Sequence, residues 1–180
     1  MRISFLKIST GFLIALATTN GFAGEFPIGE PKLSKGLEIA AIYLQPIEME
    51  PSGMMAAAAT SDIHLEADIR ATTENINGFA DGDWIPNLEI TYMLVKEGDS
   101  SKIEGTMMAM VASDGPHYGD NVKLRGPGRY KLVLRVTSDS TGHRMFGRHV
   151  DNETGVGEWP APIVAEYDFV FAGTGKKGGY

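Results

Sequence analysis

The chain contains no cysteine in its 180 residues. Disulfides are therefore excluded as a source of stability, and so are thiol nucleophiles, iron–sulfur clusters, zinc–cysteine sites and blue-copper centres, whose metal needs a thiolate. Any metal must be held by His, Met, Asp, Glu or the backbone. Long apolar runs are also missing: the best candidate, from about Gly11 to Ala17, falls short of the roughly 20 residues of a membrane span. No direct membrane insertion is expected. Basic charge is scarce, with 16 Lys+Arg against 23 Asp+Glu, which argues against nucleic acid and anionic lipid as partners and suits a protein that attracts cations. HExxH, GxSxG and GxxxxGK[ST] do not occur. The plentiful carboxylates mark out no general acid and base, so a hydrolase has no support.

What is present begins with "MRISFLKISTGFLIALATTNGFAGEF". Arg2 and Lys7, a short apolar stretch and the small residues Gly21, Ala23 and Gly24 read as a secretory signal peptide over residues 1–23, cleaved near Ala23. Residues 24–180 are then a single exported domain. That part carries 14 basic and 23 acidic side chains, a net charge of −9.

Apolar and polar residues alternate with period two in "GLEIAAIYL", "IHLEADIRA", "NLEITYMLV", "GTMMAMVA", "RYKLVLRVT" and "IVAEYDFVFA". Each is strand length, and segments rich in Gly, Pro, Asn and Asp separate them. The alanine run Ala56 to Ala59 follows Pro51 and Gly53 and is too short for a helical period. Six or seven short strands predict an all-β fold, an antiparallel β-sandwich of immunoglobulin-like or cupredoxin-like kind.

The four histidines are His64, His117, His143 and His149. On a strand, His64 shares a face with Glu66 about 7 Å away, an imidazole and a carboxylate offered together. The bland alternative is an exposed polar strand face. Met110 lies on the face of Met108 and opposite that of Met107; methionines in strands are usually core filler. Past Met110, "SDGPHYG" reads as a turn-rich loop that fixes the chain path around His117, either as a ligand or as a structural hydrogen-bonder. His143 and His149 flank Met145 in "HRMFGRH", for which a solvated loop is the bland reading. Imidazole with thioether favours copper among common metals, and a carboxylate beside them admits iron, zinc or manganese.

The strings "YLQPIEMEPSG", "DIHLEADIRA", "NGFADGDWIPNLEITYML", "IEGTMMAMVASDGPHYG" and "RHVDNETGVGEW" resemble the periplasmic iron-transport proteins that accompany an inner-membrane iron permease, the FetP-like family. The resemblance runs from about Leu37 to Phe171. It implies a homodimer of cupredoxin-like sandwiches that binds copper and iron in the periplasm and supports ferrous iron uptake through the permease. It also implies metal ligands at His64, Glu66, Met110, His117 and His149, with His143 an alternative to His149 and Met145 able to approach the metal. Asp114 and Tyr118 are candidates for supporting those ligands. Such a mixed ligand set tolerates both Cu(I) and Cu(II) and so permits copper-assisted oxidation of Fe²⁺. The competing function is a periplasmic copper chaperone or buffer with no iron role.

Overall fold

Period-two sequence becomes sheet where a strand can bury one face, and all six alternating segments form strands, although Lys102–Ala112 buries only Met107. The computed structural model describes residues 24–138, 146–160 and 162–173. The expected signal peptide, His143 and Met145 lie outside these residues. Nine strands follow in order: β1 (Phe26–Pro27), β2 (Lys32–Ser34), β3 (Leu37–Leu44), β4 (Ile63–Ala71), β5 (Leu88–Lys96), β6 (Lys102–Ala112), β7 (Gly115–Val122), β8 (Gly128–Ser138) and β9 (Ile163–Phe171). Among the described residues the only helical turn is a 3₁₀ turn at Ala58–Thr60.

Every pairing is antiparallel, in the order β1-β3-β4-β7-β6-β5-β8-β9, with β2 also on β3. The long strand β6 joins the two layers of the sandwich. Its first part, Lys102 to Met107, pairs with β5, and its second, Met108 to Ala112, pairs with β7. Between the layers lie Ile39, Leu65 and Ile69 from one side and Ile90, Leu94, Leu132 and Leu134 from the other, all essentially without solvent contact. Each such side chain contributes about 1.5–3 kcal/mol by its burial. Tyrosines tie the layers where polar groups must be satisfied: the Tyr167 hydroxyl donates to Ile39 O at 2.7 Å, and the Tyr118 hydroxyl donates to Ile85 O at 2.9 Å while accepting from Leu88 N–H.

The segment read as a loop around His117 is strand β7. Ala112 pairs with Gly115 and Met110 with His117, so only Ser113 and Asp114 form the turn of a tight β6–β7 hairpin. Gly115, Pro116, Gly119, Asp120 and Asn121 are poor strand formers, yet β7 is held by β6 on one side and β4 on the other. Pro116 stands opposite Val111 of β6 at the hairpin end of β7, where the pairing with β4, which reaches only Tyr118, has already ended.

Candidate metal centre

In β4, Ile63, Leu65, Ala67 and Ile69 face the core as alternation predicts. The opposite face is not a solvated polar surface: His64 is 0% exposed and Glu66 7%. Residues between β3 and β4 cover it, with the Ile47 and Ala56 backbone bonded to Asn121. On β7 the residues of the same face are His117, Gly119 and Asn121; in register His64 stands beside Asn121 and Glu66 beside Gly119. Gly119 has a steric task here. A Cβ at this position would lie 2.6 Å from His64 Nε2 and 2.8 Å from Cε1, so only a glycine lets the imidazole lie flat across β7.

His64, Glu66 and His117 thus converge, each offering one ligand atom within 4.8 Å of the others. Glu66 Oε1 is 3.6 Å from His64 Nε2 and 3.4 Å from His117 Nε2, and the two rings lie 6.0 Å apart. Both Nε2 atoms are buried without a hydrogen-bond partner. A buried polar atom left unpaired costs about 1–3 kcal/mol, so two at one point are what a cation site requires and what a plain core avoids. Met110, directly across the hairpin from His117, is half-buried and lines the same cleft, whereas Met107 is the core filler at 1% exposure.

Asn121 sets the chemistry of His64, and sequence reasoning missed it. Its amide NH₂ donates to Ile47 O at 2.8 Å and Ala56 O at 2.9 Å, which fixes the side-chain oxygen toward Ile47 N–H and His64 Nδ1, the latter at 3.0 Å. That oxygen can only accept, so Nδ1 carries the proton and Nε2 is a bare lone pair aimed at Glu66. The sole signal in the sequence was an asparagine in an unpromising segment. Tyr118, by contrast, faces the core, stacks on Trp84 and spends its hydroxyl on backbone groups; it does not support the ligands. Asp114 lines the cleft mouth.

Electrostatics follow from burial. Glu66 is pushed up to about 8, first by desolvation and then by repulsion from Asp68, Glu25 and Asp114. His64 is pushed down to about 4, again by desolvation, with repulsion from His117 adding to it and the Asn121 bond opposing it. Near neutral pH the metal-free Glu66 is protonated, so neither of its approaches to histidine is an ion pair. The cleft in front of the three residues has a volume of about 910 Å³ and is lined by Glu25, Glu48, Glu50 and Asp114 as well as Met49 and Met110. A cation bound by Glu66 would displace its proton. Near pH 7, Cu²⁺ binding is therefore expected to release about one proton from Glu66, and apparent affinity should rise with pH and level off above about 8. Calorimetry in buffers of different ionisation enthalpy measures this; an unchanged proton count in Glu66→Gln would refute the assignment.

His149 is not part of this cluster. Its loop is anchored elsewhere: His149 O accepts from Val156 N–H, and Gly157 N–H donates to Ile76 O. Ile76 follows the Thr72–Asn75 turn at the far end of β4, and β4 extends about 23 Å from His64 to Ala71. The His149 imidazole is 74% exposed.

The donor set suits copper: two buried imidazole nitrogens without hydrogen-bond partners, a thioether across the hairpin and a carboxylate. A family model described as Fe²⁺ transport protein matches residues 22–173. A UPF0423 protein of Brucella abortus (strain 2308) is 62% identical over 159 residues, covering 88% of this chain and 87% of the relative. Among solved structures, a copper-bound Glu-to-Gln variant of FetP from uropathogenic Escherichia coli strain F11 superposes with a TM-score of 0.80 at 50% identity, covering 83% of this chain and 99% of that one. Copper-reconstituted P19 from Campylobacter jejuni also gives 0.80, at 49% identity over 85% and 99% of the two chains.

Proposed function

Since the chain belongs to the Fe²⁺ transport protein family, we propose that it is a periplasmic copper- and iron-binding component of ferrous iron uptake, passing iron to an inner-membrane permease. The observation that carries this reading is the buried convergence of His64, Glu66 and His117, with both imidazole Nε2 atoms unpaired. His64, His117 and Met110 hold copper, with Glu66 beside them, and the carboxylates at the mouth draw Fe²⁺ as the carried ion. Bound copper supplies a one-electron couple, because nitrogen and oxygen suit Cu(II) and sulfur suits Cu(I).

His149 lies too far along its own chain to join these ligands. It completes the set from a second copy, which makes the homodimer part of the site. Export with loss of residues 1–23 belongs to the same reading, and the periplasmic fraction should hold the chain shortened accordingly. Among the described residues no helix is long and apolar enough to cross a membrane.

A deletion strain tests the function. It is expected to grow poorly when ferrous iron is limiting and normally under moderate copper stress. Copper sensitivity with unimpaired growth on scarce iron would instead establish a copper chaperone or buffer. Measuring Fe²⁺ oxidation by the copper-loaded protein against the protein-free rate separates a ferroxidase from a carrier.

A further inference from the structure

Although His149 is exposed, the loop around it is tied down bond by bond. Asp151 Oδ1 accepts from Glu153 N–H at 3.0 Å and Thr154 N–H at 2.9 Å. Gly155 N–H donates to Asp151 O and Val156 N–H to His149 O, both at 3.0 Å. The neighbouring Arg148 guanidinium donates to Val156 O at 3.0 Å, and the Asn77 amide donates to the carbonyls of Gly157 and Glu158 at 3.1 and 2.8 Å. An exposed loop kept only for solubility needs none of this.

The placement of one proton follows. Thr154 Oγ1 lies 2.8 Å from Asp151 Oδ2 and 2.7 Å from His149 Nδ1. An ionised carboxylate only accepts, so the hydroxyl donates its single proton to Asp151. Toward His149 the same oxygen can then only accept, and Nδ1 must carry the ring proton. Nε2 is left as a lone pair on an imidazole that is 74% exposed. The result matches His64, where Asn121 imposes the same tautomer from inside the fold.

We propose that Asp151 and Thr154 are positioning residues that hold His149 as an Nε2 donor for the metal site of a second copy. This rests on the reading of His149 as a ligand in trans. Metal-bound imidazoles usually have their second nitrogen fixed by such a partner, and its loss typically weakens affinity 10- to 100-fold.

Long-range ¹H–¹⁵N correlation on the metal-free protein, at mildly alkaline pH where imidazole is neutral, reads the tautomer directly. The native chain is expected to show His149 mainly protonated at Nδ1. Thr154→Val should shift it toward Nε2–H and weaken Cu²⁺ binding roughly 10-fold, and Thr154→Ser should restore both. A native ring protonated mainly at Nε2, or a tautomer unmoved by Thr154→Val while His149→Ala still weakens copper binding, overturns the positioning role alone. Copper affinity unchanged in both Thr154→Val and His149→Ala, despite a shifted tautomer, overturns the ligand reading and the proposal with it.

Discussion

His117→Ala is expected to lower Cu²⁺ affinity by more than about 100-fold while leaving the sandwich folded. Loss of an outer partner typically costs 10- to 100-fold, and loss of a direct nitrogen donor costs more. The fold should survive because His117 Nε2 has no hydrogen-bond partner to lose, and β7 at this position is held by backbone pairing to β6. Met110→Ala, tested alongside, should weaken Cu(I) more than Cu(II), since the thioether is the soft donor. A competitive titration with far-ultraviolet circular dichroism as the folding control decides the matter. Equal binding by native, His117→Ala and Met110→Ala proteins would show that these ligands are wrong. The same titration tests the shared site: mixing His117→Ala chains with His149→Ala chains should recover binding in the mixed dimer, which contains one complete set. No recovery would mean that His149 does not serve a second copy.

Gly119→Ala should abolish binding without replacing any candidate ligand. The new methyl carbon falls within 3 Å of two atoms of the His64 ring and 3.3 Å from Leu65 O. The ring is sealed on its other sides by a fully buried environment and by the Asn121 bond, so it cannot step aside cheaply. Overpacking of this kind costs about 1–3 kcal/mol, and the melting temperature should fall with it. Gly119 needs no special backbone conformation, so the effect is steric alone. A Gly119→Ala protein of native stability and native copper affinity would show that His64 is not held against β7.

Glycine at 119 also explains why part of this molecule was legible in its sequence and part was not. Six strands, β3, β4, β5, β6, β8 and β9, were visible as alternation, because one buried face imposes period two on any sheet. β7 was not visible. Its residues are chosen for the site, with Gly119 clearing space for His64 and Asn121 orienting it, and two neighbouring strands override their poor propensities. The candidate ligands could be named from residue chemistry and resemblance. Their relations could not: 57 residues separate His64 from Asn121, and the burial that keeps Glu66 protonated comes from residues between β3 and β4 that show no strand pattern. The separation of His149 from the cluster was equally hidden, since it depends on which end of β4 its loop packs against. The sequence by itself determined the strand periodicity, the absence of thiol chemistry and the donor types, all of which are local or compositional. Only the tertiary structure decided strand register, desolvation and proton placement. These arise where distant segments meet and water is excluded, and no single segment encodes them.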